Sequence, residues 1–192
     1  MISTLIELQR LKRLDRTGWV LRGLAPGAES VAAHSYGVTF TAMVLADKVR
    51  ARGVAINVEH VLRLALLHDL AESQTGDMPR TAALYYNLEA RRGAERAAFD
   101  DVVRELSSPL AEDYGELHKD YERRLSVEAR LVKAADIIDL LAQALFFERS
   151  GARGLDEFWE GARGRDFQLD GAAREIVAET MDALLAARPS AK

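Results

Sequence analysis

Cysteine is absent from this chain, which excludes disulfides, thiolate zinc sites and cysteine nucleophiles together, so any bound metal has to be held by nitrogen and oxygen. No stretch approaches the ~20 apolar residues needed to span a bilayer, and Met1 to Lys12 lacks the apolar run of a signal peptide. A cytoplasmic protein is expected. Excess charge of one sign is missing as well. With 26 basic and 30 acidic residues the formal charge is -4, so no overall field draws the chain to nucleic acid or to an anionic membrane. Strand patterns, internal repeats and low-complexity tracts are also lacking. What remains is 192 residues with 48% hydrophobic content, enough for one compact domain with a real core and short for two.

The hydrophobic pattern is helical nearly throughout. Ile2, Leu5, Leu8, Leu11 and Leu14 predict a first helix over residues 2 to 14, ending before Thr17-Gly18. Ser30 is placed to cap a second helix, with an inner stripe of His34, Val38, Thr41, Ala42, Leu45 and Val49. Asn57 caps a third, in which Val58, Val61, Leu62, Ala65 and Leu66 lead into His68, Asp69 and Glu72 before Gly76 and Pro79 break it and leave Asp77 in a turn. Residues 81 to 106 read as one or two amphipathic helices with a weak point at Arg92-Gly93, and Ala111 to Arg124 as a solvated helix. Ser126 starts the longest apolar helix, with Leu131, Ala134, Ala135, Ile138, Leu141, Ala142 and Leu145 inward and Gly151 as its stop. Ser150 to Asp166 is expected to loop, and Ala172 to Ala187 to form the last helix. The fold class is therefore all-α.

Within this pattern the adjacent pair His68-Asp69 stands in an apolar segment, with His34 upstream and Asp136 downstream on other apolar faces. Burying an imidazole or a carboxylate is costly unless it is paired or bound to a cation, so the four groups suggest one shared metal ion. On a helix Glu72 lies near the same point, four residues after His68 and three after Asp69. Two imidazole nitrogens and two carboxylates leave a six-coordinate ion with positions for water and a substrate oxygen. Taken singly, each residue has a plainer reading. His34 suits a hydrogen-bonded core histidine, Asp136 a pair with Lys133, Glu72 a solvated helix residue, Asp77 a turn, and Trp19 core. Asp139 is read as structural or supporting, while His60 and His118, in polar surroundings, receive no site role. Co-occurrence on separate apolar helices is what favours the metal.

The order His34, His68-Asp69, Asp136 resembles the HD superfamily of metal-dependent phosphohydrolases, and more closely its 5'-deoxynucleotidase branch. The matching stretches are LKRLDRTGWVLRG at Leu11 to Gly23, ESVAAHS at Glu29 to Ser35, LALLHDLAESQTGDMP at Leu64 to Pro79 and LVKAADIIDLLAQALFFE at Leu131 to Glu148. The resemblance implies a single HD-type helical bundle over residues 1–192, with a metal-site core at about 11–150 and a C-terminal loop and helix at 151–192. It implies His34, His68, Asp69 and Asp136 as metal ligands, Glu72 and Asp77 as acidic catalytic residues, and Arg16, Trp19 and Asp77 as substrate contacts. Arg16 would hold the phosphate, and Trp19 would pack by the sugar, where a bulky ring disfavours a 2'-hydroxyl. The implied cofactor is one divalent ion per subunit, drawn from Mn, Co, Mg, Fe, Ni or Zn. The implied substrate is a 5'-deoxynucleoside monophosphate, and the implied assembly a homodimer.

Two positions depart from the branch. The residue before the first ligand is commonly acidic and here is Ala33, so a partner for His34 is missing or comes from elsewhere. Arg16 and Trp19 are separated by Thr17-Gly18, whereas some bacterial members place them side by side, which leaves Arg22 as a substitute phosphate ligand. The rival readings are an HD enzyme acting on a triphosphate or cyclic nucleotide, a nucleotide-sensing binding protein, and a structural bundle without metal.

Overall fold

Leucines spaced by threes suit a tighter turn than the α-helix, and the N-terminus is built accordingly. A computed structural model describes residues 1–188, the side chain at position 83 apart. Helix α1 covers Ile2–Glu7, and Leu8–Lys12 is a 3-10 helix. A 3-10 helix has about 3.0 residues per turn, so residues three apart eclipse one another. The single helix expected over residues 2 to 14 is thus corrected; Leu11 is buried, whereas Ile2 and Leu5 are exposed.

The short helix α2 spans Thr17–Val20. Between it and the next helix the chain doubles back, and Asp15 and Ser30 form an isolated antiparallel bridge. Arg16 N–H donates to the Glu29 carbonyl at 3.0 Å, and Val31 N–H to the Leu14 carbonyl at 2.9 Å. This bridge fixes Arg16 beside the start of α3, Val31–Ala51. Ser30 caps α3 as expected, its Oγ accepting the Ala33 N–H at 3.1 Å. Asn57 likewise caps α4, Val58–Leu67, by accepting the His60 N–H at 3.0 Å.

The third helix does not continue through His68 and Asp69. It stops at Leu67, and a turn of i→i−3 bonds follows: Leu70 N–H to Leu67 O at 3.1 Å, Glu72 N–H to Asp69 O at 3.1 Å and Ser73 N–H to Leu70 O at 3.2 Å. Leu64, 1% exposed, takes the inward place expected of Leu66, which is 66% exposed. Helix α5, Glu72–Thr75, ends at Gly76, whose φ of 77° reverses the chain, and Asp77 lies in the irregular segment 76–79 rather than in the expected turn. Pro79 precedes α6, Arg80–Ala83.

Helix α7, Leu88–Val103, runs unbroken through the supposed weak point at Arg92-Gly93, and Asn87 caps it by accepting from Glu89 and Ala90. Helix α8, Ser108–Arg123, is solvated on one side only, since Leu117, His118 and Tyr121 are buried. Helix α9, Val127–Arg149, starts at its expected cap, with Ala129 N–H donating to Ser126 Oγ at 3.0 Å. Ala144 is buried on α9, whereas Ala142 faces out. The expected loop at 150–166 contains α10, Asp156–Ala162, because Leu155 and Trp159, four residues apart, both bury completely. Helix α11, Gly171–Ala187, is the last, and residues 189–192 lie outside the described residues.

The chain divides into two compact units, Met1–Tyr36 with Leu66–Arg123, and Gly37–Ala65 with the chain from Arg124 onward. In the first, Leu11, Val31, Leu70, Ala71, Phe99, Val102 and Val103 form a core. In the second, α9 packs against α10 and α11, and α11 buries Ala173, Ile176, Val177 and Met181. Gly37 of α3 is required there, because a Cβ built on it would overlap the Asp139 carboxylate. No helix among the described residues is long and apolar enough to cross a membrane.

Candidate metal centre

The 3-10 turn after α4 brings adjacent side chains to one place. His68 Nε2 lies 3.1 Å from Asp69 Oδ2, and His34 Nε2, from the first turn of α3, lies 3.8 Å from the same oxygen. The two imidazoles meet edge to face, with centroids 5.5 Å apart, and Tyr121 of α8 packs edge-on to His68 at 5.4 Å. His34 and His68 are 1% and 5% exposed. Burial opposes the ionisation of Asp69, but the charge and hydrogen bond of His68, then the charges of Arg16 and His34, outweigh that penalty and hold its carboxyl well below the usual carboxylate range.

This donor set fits a divalent metal. Ligand atoms about 2.1 Å from one ion and at right angles around it lie about 3 Å apart, close to the observed 3.1 Å and within a small side-chain movement of 3.8 Å. Nitrogen and anionic oxygen donors, with no sulfur, suit a first-row divalent ion.

Arg16 and Asp77 form the neighbouring feature. Arg16 Nη1 is 3.0 Å from Asp77 Oδ1 and 3.5 Å from Asp69 Oδ2. Asp77 also receives the Thr17 N–H on Oδ2, and its backbone carbonyl accepts the Thr17 hydroxyl at 2.9 Å. Asp77 therefore clamps the segment that carries Arg16 and directs the guanidinium toward Asp69. Arg22 has a longer contact, 3.4 Å, to the carbonyl of Leu21. Glu72 opens α5 with a buried Oε2. Its N–H bonds the Asp69 carbonyl, so the turn that positions Asp69 also positions Glu72.

Two expectations are revised by burial. Trp19 is 1% exposed and donates its indole Nε1–H to Glu29 Oε2, so it offers almost no surface to a sugar. His118, expected in polar surroundings, is 4% exposed and stacks on Phe99 at 4.2 Å. Asp136 belongs to the second unit, on the buried face of α9, where Lys133 Nζ donates to its Oδ2 at 2.7 Å. Asp139, one turn further on, is the neighbour that Gly37 accommodates. Sequence reasoning missed Glu29 and Tyr121. Glu29 opens the ESVAAHS stretch, and its distance from an expected helix face gave no sign of burial.

An all-helical chain with two imidazoles converging on the Asp of an adjacent His-Asp pair belongs to the HD domain family, whose model matches residues 8–166. Among similar proteins, the 5'-deoxynucleotidase HDDC2 of Danio rerio is 34% identical over 167 residues, 86% of this chain and 79% of that protein. The 5'-deoxynucleotidase HDDC2 of Homo sapiens is 32% identical over 158 residues, 81% of this chain and 73% of that protein. A solved structure of a conserved hypothetical protein from Pyrococcus furiosus superposes with a TM-score of 0.77 at 38% identity, covering 95% of this chain and 99% of that one.

Proposed function

We propose that the chain is a metal-dependent phosphoric monoester hydrolase that converts 5'-deoxynucleoside monophosphates to deoxynucleosides and phosphate. The observation that carries the reading is the convergence of His34, His68 and Arg16 on one oxygen of Asp69, which sets a metal-binding donor group beside a phosphate-binding cation. Relatives named 5'-deoxynucleotidase, matched over most of their length, support the substrate class.

In this reading His34, His68 and Asp69 hold one divalent ion, and Asp136 completes the set. When bound, the ion supplies Lewis acidity and lowers the pKa of water toward ~7. Glu72 takes a proton from the attacking water as its oxygen bonds to phosphorus. The bond between phosphorus and the 5'-oxygen breaks in line, and the leaving oxygen takes a proton from a pocket acid or from water. Arg16 holds two phosphoryl oxygens through its planar donor fork and offsets the charge that develops on them. Asp77 keeps Arg16 aimed, and Trp19 supports the wall behind it rather than touching the sugar. The ion is one of Mn, Co, Mg, Fe, Ni or Zn. A single HD domain over residues 1–192, a homodimeric assembly and a cytoplasmic location belong to the same proposal.

The test is phosphate release from deoxy- and ribonucleoside 5'-monophosphates, triphosphates and cyclic nucleotides by metal-stripped protein resupplied with Mn, Co, Mg or Zn. Release that depends on metal, prefers deoxynucleoside monophosphates and is lost in Asp69→Ala is the expected result. Turnover of another phosphoester alone would keep the metal centre and overturn the substrate, and full activity of Asp69→Ala would overturn both.

A further inference from the structure

The imidazole of a metal ligand turns on a soft torsion. Rotation about Cβ–Cγ is broad and roughly two-fold rather than staggered, and a half-turn exchanges Nε2 with the ring carbon Cε1. A ligand histidine is therefore oriented by what packs on its ring as well as by what bonds to its nitrogens. At His68, Asp69 Oδ2 lies 3.1 Å from Nε2. The ring itself meets two others edge to face: His34, with centroids 5.5 Å apart and planes at 61°, and Tyr121, at 5.4 Å and 69°. His34 is a candidate ligand in its own right, whereas Tyr121 is a neighbour from outside the ligand set.

Tyr121 is itself held in place. It is 6% exposed and ends an inward stripe of α8 that includes Leu117 and His118. His118, three residues earlier, stacks on Phe99 of α7 with centroids 4.2 Å apart and planes at 24°. Phe99 shares a core with Leu70 and Ala71, the residues that follow His68-Asp69. Helix α8 is thus tied through Phe99 to the segment after the His-Asp pair and reaches the imidazole of His68 through Tyr121. All of these residues lie in the first compact unit. We infer that Tyr121 is a positioning residue of His68: its ring, anchored by α8, restricts rotation of the imidazole and keeps Nε2 on the side of Asp69. The contact is made by the aromatic ring, so the ring rather than the hydroxyl carries the role. A helix whose charged sequence reads as solvated thereby contributes to the metal centre.

The inference rests on the metal reading of the site and is tested without substrate. Dissociation constants for Mn²⁺ are measured by competition with a chelator for wild type, Tyr121→Phe, Tyr121→Leu and Val103→Ala, with circular dichroism and thermal melting of the metal-free proteins as the check on folding. Val103 is buried in the core of the same unit and brings no ring, so its truncation serves as the control for lost packing alone. Tyr121→Leu is expected to weaken Mn²⁺ binding by roughly 3- to 10-fold, the worth of one aromatic pair. Tyr121→Phe keeps the ring and should stay within about 2-fold of wild type, as should Val103→Ala despite a lower melting temperature. Visible absorption of the Co²⁺-loaded proteins, which follows ligand geometry, gives a second readout: Tyr121→Phe and Val103→Ala keep the wild-type bands, and Tyr121→Leu shifts or weakens them.

Folded Tyr121→Leu with wild-type Mn²⁺ affinity and Co²⁺ bands would overturn the inference. So would Tyr121→Phe weakened as much as Tyr121→Leu, which would move the effect to the hydroxyl, or an equal weakening in Val103→Ala, which would reduce it to general stability. If Tyr121→Leu does not fold, Tyr121→Met, of similar reach and without a ring, is judged by the same criteria. A wild-type protein that binds no divalent metal would remove the metal reading itself, whereas wild-type binding with unaffected Tyr121 variants removes only the role of Tyr121.

Discussion

Removing the Asp77 carboxylate should uncouple Arg16 from its loop, and the cost follows from the contacts the carboxylate makes. Its side chain is 9% exposed and that of Arg16 15%, so their 3.0 Å pair sits far from the surface regime in which such bridges contribute 0–1 kcal/mol. A hydrogen bond to a charged group contributes about 1.5–3 kcal/mol. Asp77→Ala loses that contact and the bond from Thr17 N–H, while Arg16 retains Asp69 at 3.5 Å. A loss of about 3 kcal/mol is expected. At about 2–4 °C per kcal/mol for a chain of this size, the melting temperature should fall by about 6–12 °C.

The coupling itself is measured by a double-mutant cycle of Asp77→Ala and Arg16→Ala followed by denaturant unfolding, with an expected interaction of about 1–3 kcal/mol. The same variants should lose phosphate release together, by about 100-fold or more for Arg16→Ala, if Arg16 offsets transition-state charge. Additive stabilities, with coupling below about 0.5 kcal/mol, would refute the clamp between Asp77 and Arg16.

Other outcomes follow from the same structure. Glu72→Ala should keep wild-type Mn²⁺ affinity and lose about 100-fold or more in kcat; an unchanged kcat would exclude Glu72 as the proton acceptor. Gly37→Ala should destabilise by about 1–3 kcal/mol, because its Cβ meets the Asp139 carboxylate, although the same change on an open helix face stabilises by up to about 1 kcal/mol. Combining it with Asp139→Gly should recover most of the loss in thermal melts. His118 is pushed down to about 4 by burial and by the nearby charge of Arg96, with Asp100 partly opposing. Between about 4 and the ordinary 6.5 the unfolded chain binds the proton and the folded chain does not, so stability rises with pH through that window and is lost on acidification, by roughly 3 kcal/mol at most. Urea titrations of His118→Gln across pH 4 to 6.5 should show a correspondingly flatter profile.

Local chemistry was legible in the sequence wherever a short-range rule decides the outcome. Ser30, Asn57 and Ser126 cap helices because a side-chain oxygen two or three residues before free N–H groups needs no distant partner. The all-α class followed from apolar spacing, and the His-Asp pair was visible because neither residue is at ease in an apolar run without compensation. Absence of cysteine settled the donor chemistry of any metal site before a fold was known.

Tertiary structure decided what periodicity cannot encode. The α period placed Glu72 over His68, but packing ends the helix at Leu67 and winds the next residues more tightly, so the neighbours of Asp69 are set by a turn. Leu155 with Trp159 forms a helix out of an apparent loop once both have a core to enter. Arg16, Asp77 and Glu29 come together through one antiparallel bridge and one carboxylate clamp between segments distant in sequence. Residue type determined which chemistry this chain is able to perform. Which of those residues meet was decided by burial and by long-range hydrogen bonds, whose energies depend on partners that no local window of sequence contains.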